Sequence, residues 1–428
     1  MRLRPPRVTV DLTPLRDSRD LRLLVAGNFV TGLGTQAALV ALPYQVYVQT
    51  RSALATGLIG AVELVPLVSM ALLGGAIADR VDRRKLLLAD QVALVAIAGA
   101  LAAGALVGRP PLALLYVLAG AMAGFSSIQN VARSAIVPNL VAPARLRSAL
   151  ALNFGLYQLT MVLGPGLGGV VIGAFGVGAA YAVDAASCLA MVWAALALAP
   201  QPPHGGGEDA LEVGIARSIA EGLRFVAGNR ALLGSFAIDL VAMTFGMPRA
   251  LFAVLSVTVY HAGAEGAGLL YAAVSAGATV AALSTAWLER SRRLGRIVVW
   301  AVVTWGVAIA ASGLMRSLWP AAALLAIAGA ADSVSAVCRS TINQTVTPDA
   351  MRGRMSAVFS LVVTSGPRLG DIEAGSVAAV ATPRFSVVSG GLACIAGAAL
   401  VVAAFPALWS YDVEEATAEF SDSVQTAA

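Results

Sequence analysis

Charge is scarce in this chain. Lys, Arg, Asp and Glu make up 12% of its 428 residues, about half the share of a soluble domain. With 58% hydrophobic residues beside it, that figure excludes an ordinary water-facing globule. Lysine is nearly missing: the one lysine, Lys85, follows Arg84. The phosphate-cradling Gly-x-x-x-x-Gly-Lys loop therefore cannot be built, and ATP-driven pumping by this chain is excluded. Cysteines number three, Cys188, Cys338 and Cys394. All fall in apolar runs and read as small packing residues, without a disulfide framework or metal spacing. His204 and His261 are the two histidines, too few and too far apart for a His-based site, so neither metal nor cofactor is expected.

What abounds is apolar length. Crossing a bilayer core of about 30 Å takes roughly 20 apolar residues in a helix. Runs bounded by charge, Gly or Pro predict spans at 22–48, 54–78, 86–107, 112–136, 148–174 and 178–199, then at 230–258, 265–288, 297–315, 319–342, 355–380 and 384–409. These are spans one to twelve. Met1 to Arg22 carries six arginines and no apolar core, so no cleaved signal is expected there. With both termini cytoplasmic, 21 of the 29 basic residues lie on the inside, and Arg51, Arg109, Arg316 and Arg384 lie outside. The positive-inside rule thus orients the chain. It also accounts for the net charge of +5, leaving no reason to invoke nucleic acid.

The stretch QPPHGGGED at 201–209 breaks the hydrophobic pattern and reads as a flexible connection. The expected organisation is a cytoplasmic arm (1–21), six spans (22–200), a cytoplasmic linker (201–229), six more spans (230–410) and a cytoplasmic tail (411–428). The two sets resemble one another. GPGLGG at 164–169 recurs as GPRLGD at 366–371, and RSAI at 133–136 recurs as RSTI at 339–342. Two matches at near-constant separation argue for duplication, and six spans per copy keep the copies parallel.

That arrangement resembles the major facilitator superfamily, whose site lies between the halves near the midplane. Residues 74–85, GGAIADRVDRRK, are similar to its loop between spans two and three: Gly75, Asp79, Arg80, Arg83 and Arg84 match, and Asp82 replaces the second glycine. IDLVAMTFGMPRALF (238–252), TPDAMRGRMSA (347–357) and GPRLGDIEAG (366–375) resemble the branch of enterobactin exporters and macrolide-efflux carriers. Asn28 stands where that branch carries an arginine. The resemblance implies an all-α integral membrane protein of twelve transmembrane helices in two parallel six-helix bundles. It also implies a multi-pass place in the bacterial cytoplasmic (inner) membrane, with the lipid bilayer, a small-molecule substrate and protons as partners and a monomer as the working unit.

Asp79 ends span two, where the helix dipole disfavours an acid. Glu289, in WLERSRRLGR at 287–296, repeats the anomaly at the end of span eight. The resemblance implies span eleven as the partner of Asp79, and pseudo-symmetry gives the start of span five to Glu289. Gly75, Asp79, Arg80, Arg83, Arg84, Glu289 and Arg293 together form an expected cytoplasmic gate, made when the cavity opens outward and broken when it opens inward. The competing reading is a set of positive-inside anchors, which suffices for the arginines. In span five, Gly164, Pro165, Gly168 and Gly169 resemble the end of the superfamily's antiporter motif. Close helix packing by small residues explains them as well.

An ionisable residue at membrane depth is a functional hypothesis by default. Glu63, Asp239 and Asp332 are the candidates to carry a coupling proton, since a carboxylate held in low dielectric can take up and release one near neutral pH. A permanent ion pair is the competing reading, with Arg368 the expected mate of Asp332. Arg368 and Asp371, three apart on one helix face, read either as functional charges of the cavity or as an ion pair along their own helix. Arg133 and Arg339, near the inner ends of spans four and ten, are expected to reach the interface. Candidate cavity residues are Asn28, Gln36, Tyr44, Asn130, Tyr157, Gln158, Met243, Met247, Arg249, Arg368 and Asp371. They mix hydrogen-bonding groups with adaptable apolar surface. The reading is proton-coupled efflux of a siderophore, drug or other amphipathic small molecule, and not an enzyme. An importer or facilitator on the same fold stays open, and so, more remotely, does a membrane sensor or enzyme without transport.

Overall fold

The computed structural model describes residues 13–78, 80–202, 215–285, 288, 291–348 and 351–414. Among them it is all helix and turn, without a strand. After a short α1 (Thr13–Asp17) come α2 (Arg19–Thr50), α3 (Ala53–Ala78), α4 (Arg83–Val107), α5 (Leu112–Ile136), α6 (Leu146–Phe175) and α7 (Val177–Ala197). Then follow α8 (Ile215–Gly228), α9 (Arg230–Phe245), α10 (Leu251–Thr258), α11 (Gly263–Leu283), α12 (Leu294–Leu314), α13 (Leu318–Val346), α14 (Arg352–Val380), α15 (Pro383–Ala404) and a final turn, α16 (Pro406–Trp409). Ten of the described helices are long and apolar enough to cross a membrane.

Local chemistry starts the helices where it should. Ser18 accepts from the Leu21 N–H at 3.1 Å, Asp82 from Arg84 at 2.9 Å, and Thr382 from Phe385 at 3.1 Å, each satisfying a first-turn donor. Asn229 accepts from both Ala231 and Leu232 at 3.0 Å. Residues 215–228, part of the expected linker, are helical as α8, which meets α9 at a bend of 111°.

The expected span at 230–258 is not one helix. It breaks between Phe245 and Leu251, because Pro248 has no N–H to continue the ladder. Side chains from three other helices take up the freed backbone groups. The indole N–H of Trp305 (α12) donates to Gly246 O at 2.8 Å, and the Tyr271 hydroxyl (α11) donates to Arg249 O at 2.9 Å. The Ala250 N–H donates to Asp371 Oδ1 (α14) at 2.9 Å. Non-helical backbone at membrane depth persists only when it is satisfied in this way.

Helices α2 to α7 pack on one another, as do α9 and α11 to α15, and two close crossings join these groups. The first sets α3 on α14: a Cβ on Gly375 would stand 2.7 Å from the Cα of Gly57. The second sets α6 on α11: a Cβ on Gly268 would stand 3.0 Å from the Cα of Gly169. Only glycine permits such approach of two backbones. Gly164 and Gly168 of the same α6 stretch face α2 instead, against Gln36 and Ala37. Both crossings lie toward the ends of the helices away from the basic loops. At the basic-loop end, the positions a Cβ would take on Gly75, Gly155 and Gly353 have no other heavy atom within 4 Å. Both close glycine crossings between the two groups of helices thus lie at one end.

Candidate functional site

Between the groups lies a cavity of about 660 Å³, within the range of small-molecule sites. It runs from the α3–α14 crossing toward Ala71, Ser134 and Ala357 at the basic-loop end. Its wall is largely apolar, from Leu39, Leu42 and Pro43 of α2 to Met122 of α5 and Leu361 of α14, with hydroxyls of Thr56, Ser126, Ser127 and Ser360. Four charged side chains sit on this wall: Glu63 from α3, Arg249 from the α9–α10 break, and Arg368 and Asp371 from α14.

They pair across helices. Glu63 Oε2 lies 2.8 Å from Arg368 Nε, and both side chains are nearly buried. This ion pair joins the two groups of helices directly beside their crossing, where Gly60 abuts Arg368 and Asp371. Asp371 Oδ2 stands 3.9 Å from Arg249 Nη2 while its other oxygen holds the Ala250 N–H. The reading of Arg368 and Asp371 as an intrahelical pair is thus corrected. Each reaches instead for a charge on another helix, where desolvation makes an opposite charge most valuable.

Deeper in the second group, Arg339 of α13 is ion-paired with Asp239 of α9, both almost wholly buried. Asp332 Oδ1, one and a half to two turns back along α13, stands 3.7 Å from Arg339 Nη2. Asp332 was expected with Arg368; its guanidinium partner is Arg339. Arg339 was expected to reach the interface, yet it is 2% exposed. The carboxylate beside it makes burial affordable, and snorkelling would leave Asp239 unpaired.

The other expected cavity residues divide. Asn130 and Tyr157 line the wall. Asn28 donates to Asn153 Oδ1 at 3.2 Å, and Gln36 to Met161 Sδ at 2.9 Å, so both tie α2 to α6. Gln158, Tyr44 and Met243 are not among the lining residues, and Met247 lines a small void on the far side of the helix break. Of the gate residues, Asp79 and Glu289 lie outside the described residues. Arg83 donates to Ala135 O at 3.0 Å, and Arg84 to Ala195 O at 2.9 Å and Leu196 O at 2.7 Å. These bonds pin the start of α4 to the ends of α5 and α7 within one group, and do not cross to the other. Arg80 and Arg293 are exposed.

Two buried acids escaped the sequence reading. Asp90 of α4 is 2% exposed and accepts from Gln91 at 3.2 Å; Asp184 of α7 is 4% exposed and accepts from the Thr35 hydroxyl at 3.4 Å. Both sit well inside apolar runs, so the depth criterion that singled out Glu63 and Asp332 applies to them equally.

Residues 9–425 match the transmembrane secretion effector family. The enterobactin exporter EntS of Citrobacter koseri is 30% identical over 90% of this chain and 92% of its own length. EntS of Shigella boydii is 29% identical, over 89% and 91%. Among solved structures, the nucleoside transporter NupG, as its D323A mutant, superposes with a TM-score of 0.74 at 12% identity, covering 92% of this chain and all of that one. A bacterial homologue of the human lysosomal transporter Spinster, in an inward-facing and unoccupied conformation, superposes with a TM-score of 0.70 at 13% identity, over 94% and 97%. At such identity these structures establish the transporter fold alone.

Proposed function

For this chain, which belongs to the transmembrane secretion effector family, we propose efflux of an amphipathic small molecule by alternating access, driven by protons moving inward. The protein is a multi-pass membrane transporter. In this reading it has twelve spans in two parallel six-helix bundles, with α9 and α10 counted as one broken span and α14 as the eleventh. Both termini face the cytoplasm, the membrane is the bacterial inner membrane, and a monomer is the working unit. With the basic loops inside, the cavity opens inward and the two glycine crossings close its outer end.

The observation that carries the reading is the Glu63–Arg368 pair on the cavity wall, because it links the two bundles at the closed end. Protonation removes the charge of Glu63 and weakens its hold on Arg368, so proton occupancy and the direction in which the cavity faces are linked. A proton taken up at Glu63 while the cavity faces outward, and released when the pair re-forms in the inward-facing state, moves inward as the exchange requires. The substrate then meets a mostly apolar wall with hydroxyl, amide and phenol groups from Ser126, Asn130 and Tyr157, which suits a molecule such as a siderophore or macrolide. Asp79 and Glu289 remain the proposed gate acids on the inner side.

The test is transport of enterobactin in cells lacking and then regaining the chain. Loss should raise intracellular retention, restored by the native protein and not by Glu63→Gln. If loss instead abolishes uptake of externally supplied enterobactin, import replaces export.

A further inference from the structure

Each group of helices ends in a segment that turns back onto it. In the first group the chain leaves α7 at Ala197 and returns to the start of α4. There the Gln201 N–H donates to Asp82 Oδ1 at 3.1 Å, and the Arg83 N–H donates to Gln201 O at 3.0 Å. In the second group the chain leaves α15 at Ala404 and returns to the start of α12. There the Val413 N–H donates to Arg292 O at 3.0 Å, and Glu414 Oε1 lies 2.8 Å from Arg292 Nε. Helices α4 and α12 are each the third span of their set, so the two returns are pseudo-symmetric.

The second return has a packed part and an open tip. In the packed part Leu408 is fully buried, Tyr411 is 7% exposed, and Gly295 abuts Leu408 O where a Cβ would collide. Arg296 lies over the Trp409 ring, 5.3 Å from its centre. At the tip the side chains of Arg292 and Glu414 are 66% and 57% exposed. An exposed pair of this kind shifts an equilibrium about five-fold at most. Its place matters more than its strength. Arg292 O takes the N–H of Leu294, at 3.1 Å, as well as that of Val413, so the tail fixes the turn that leads through the exposed Arg293 into α12.

We propose that the return at 405–414 is a positioning element for the inner closure: by holding Arg292 it pre-orders the turn carrying Arg293, so that this turn need not be ordered when the inner side closes. The proposal rests on the reading above, in which the basic loops between spans make that closure. Fixing one residue's backbone costs a factor of about 5 to 30 in an equilibrium constant. A turn already held while the cavity opens inward is relieved of that cost on closing. Both sides of the clasp belong to one group of helices, so movement of the groups as rigid bodies leaves it intact. A brake would act in the opposite direction, holding the turn away from the closure and opening before it.

The test is the distance between spin labels at Ala142 and Ser356, on the basic-loop side of the two groups, in the purified full chain and its variants. Arg292→Glu and Glu414→Arg should each shift the populations about two- to five-fold toward the long, inward-open distance, and the two together should restore the native distribution. Deleting residues 413–428 should shift them further, about 5- to 30-fold in the same direction. Should the shortened chain fail to fold, the charge variants and their mutual rescue still decide. Unchanged populations overturn the proposal, and so does a shift toward the short distance, which would make the tail a brake. Asp79→Asn separates the two readings. If it lengthens the distance while the tail variants do not, the gate stands and the positioning role falls; if no variant changes the distance, both fall.

Discussion

Gly375→Val tests whether the α3–α14 crossing is the outer closure. Its Cβ would stand 2.7 Å from the Cα of Gly57 and 2.9 Å from Ala53 O, both backbone atoms that cannot rotate aside. Overpacking of this kind costs about 1–3 kcal/mol. The cost falls on the conformer in which the crossing is made; in the outward-open conformer the two helices are apart and valine is tolerated. At about 1.4 kcal/mol per factor of ten, the conformer ratio should move about 5- to 150-fold toward outward-open. Insertion should survive, since valine is at home in an apolar span. Spin labels at Ser52 and Thr382, beyond the ends of α3 and α14, should report a longer distance in the variant. An unchanged distance distribution in a protein of native stability would refute the assignment of this crossing as a gate.

Further changes probe the remaining contacts. Asp239→Asn leaves Arg339 with only the more distant Asp332 and should cost up to about 3–5 kcal/mol of stability, read as a lower Tm in detergent; Asp332→Asn should cost less, because the closer Asp239 still holds Arg339. Trp305→Phe removes the donor to Gly246 O and should lower Tm by the equivalent of about 1–3 kcal/mol, with a larger loss of transport than of expression. Gly168→Val meets the backbone of Ala37 and should slow transport while leaving membrane insertion intact. Glu63→Ala should free Arg368, so a second change, Arg368→Ala, should add little to its effect on the conformer ratio, whereas independent roles would make the two effects additive.

Ten of the expected spans, all but those at 230–258 and 355–380, were legible in the sequence because apolar length is a local property. The duplicated GPGLGG and GPRLGD elements were legible too, and each proved to sit on a helix that crosses into the other group. Ion-pair partners were not legible. Spacing within a helix shows which residues share a face, so Arg368 and Asp371 read as mates; only the fold brings Glu63 and Arg249 to them. The broken span had a signal in the sequence, Gly246 and Pro248 within three residues, that an unbroken hydrophobic run around it masked. The helix at 215–228 likewise had its cue in Ile215, Ile219, Leu223 and Val226, spaced by three or four residues, behind a Pro- and Gly-rich stretch that suggested a linker throughout.

The most direct test of proton coupling at Glu63 uses proteoliposomes carrying the native chain or Glu63→Gln, with enterobactin outside and an imposed pH gradient. With an acid interior, the native protein should accumulate enterobactin inside until a protonophore collapses the gradient, and Glu63→Gln should equilibrate it without accumulation. Accumulation by Glu63→Gln at the native level, or accumulation by the native protein only when the acid side is outside, would contradict the account.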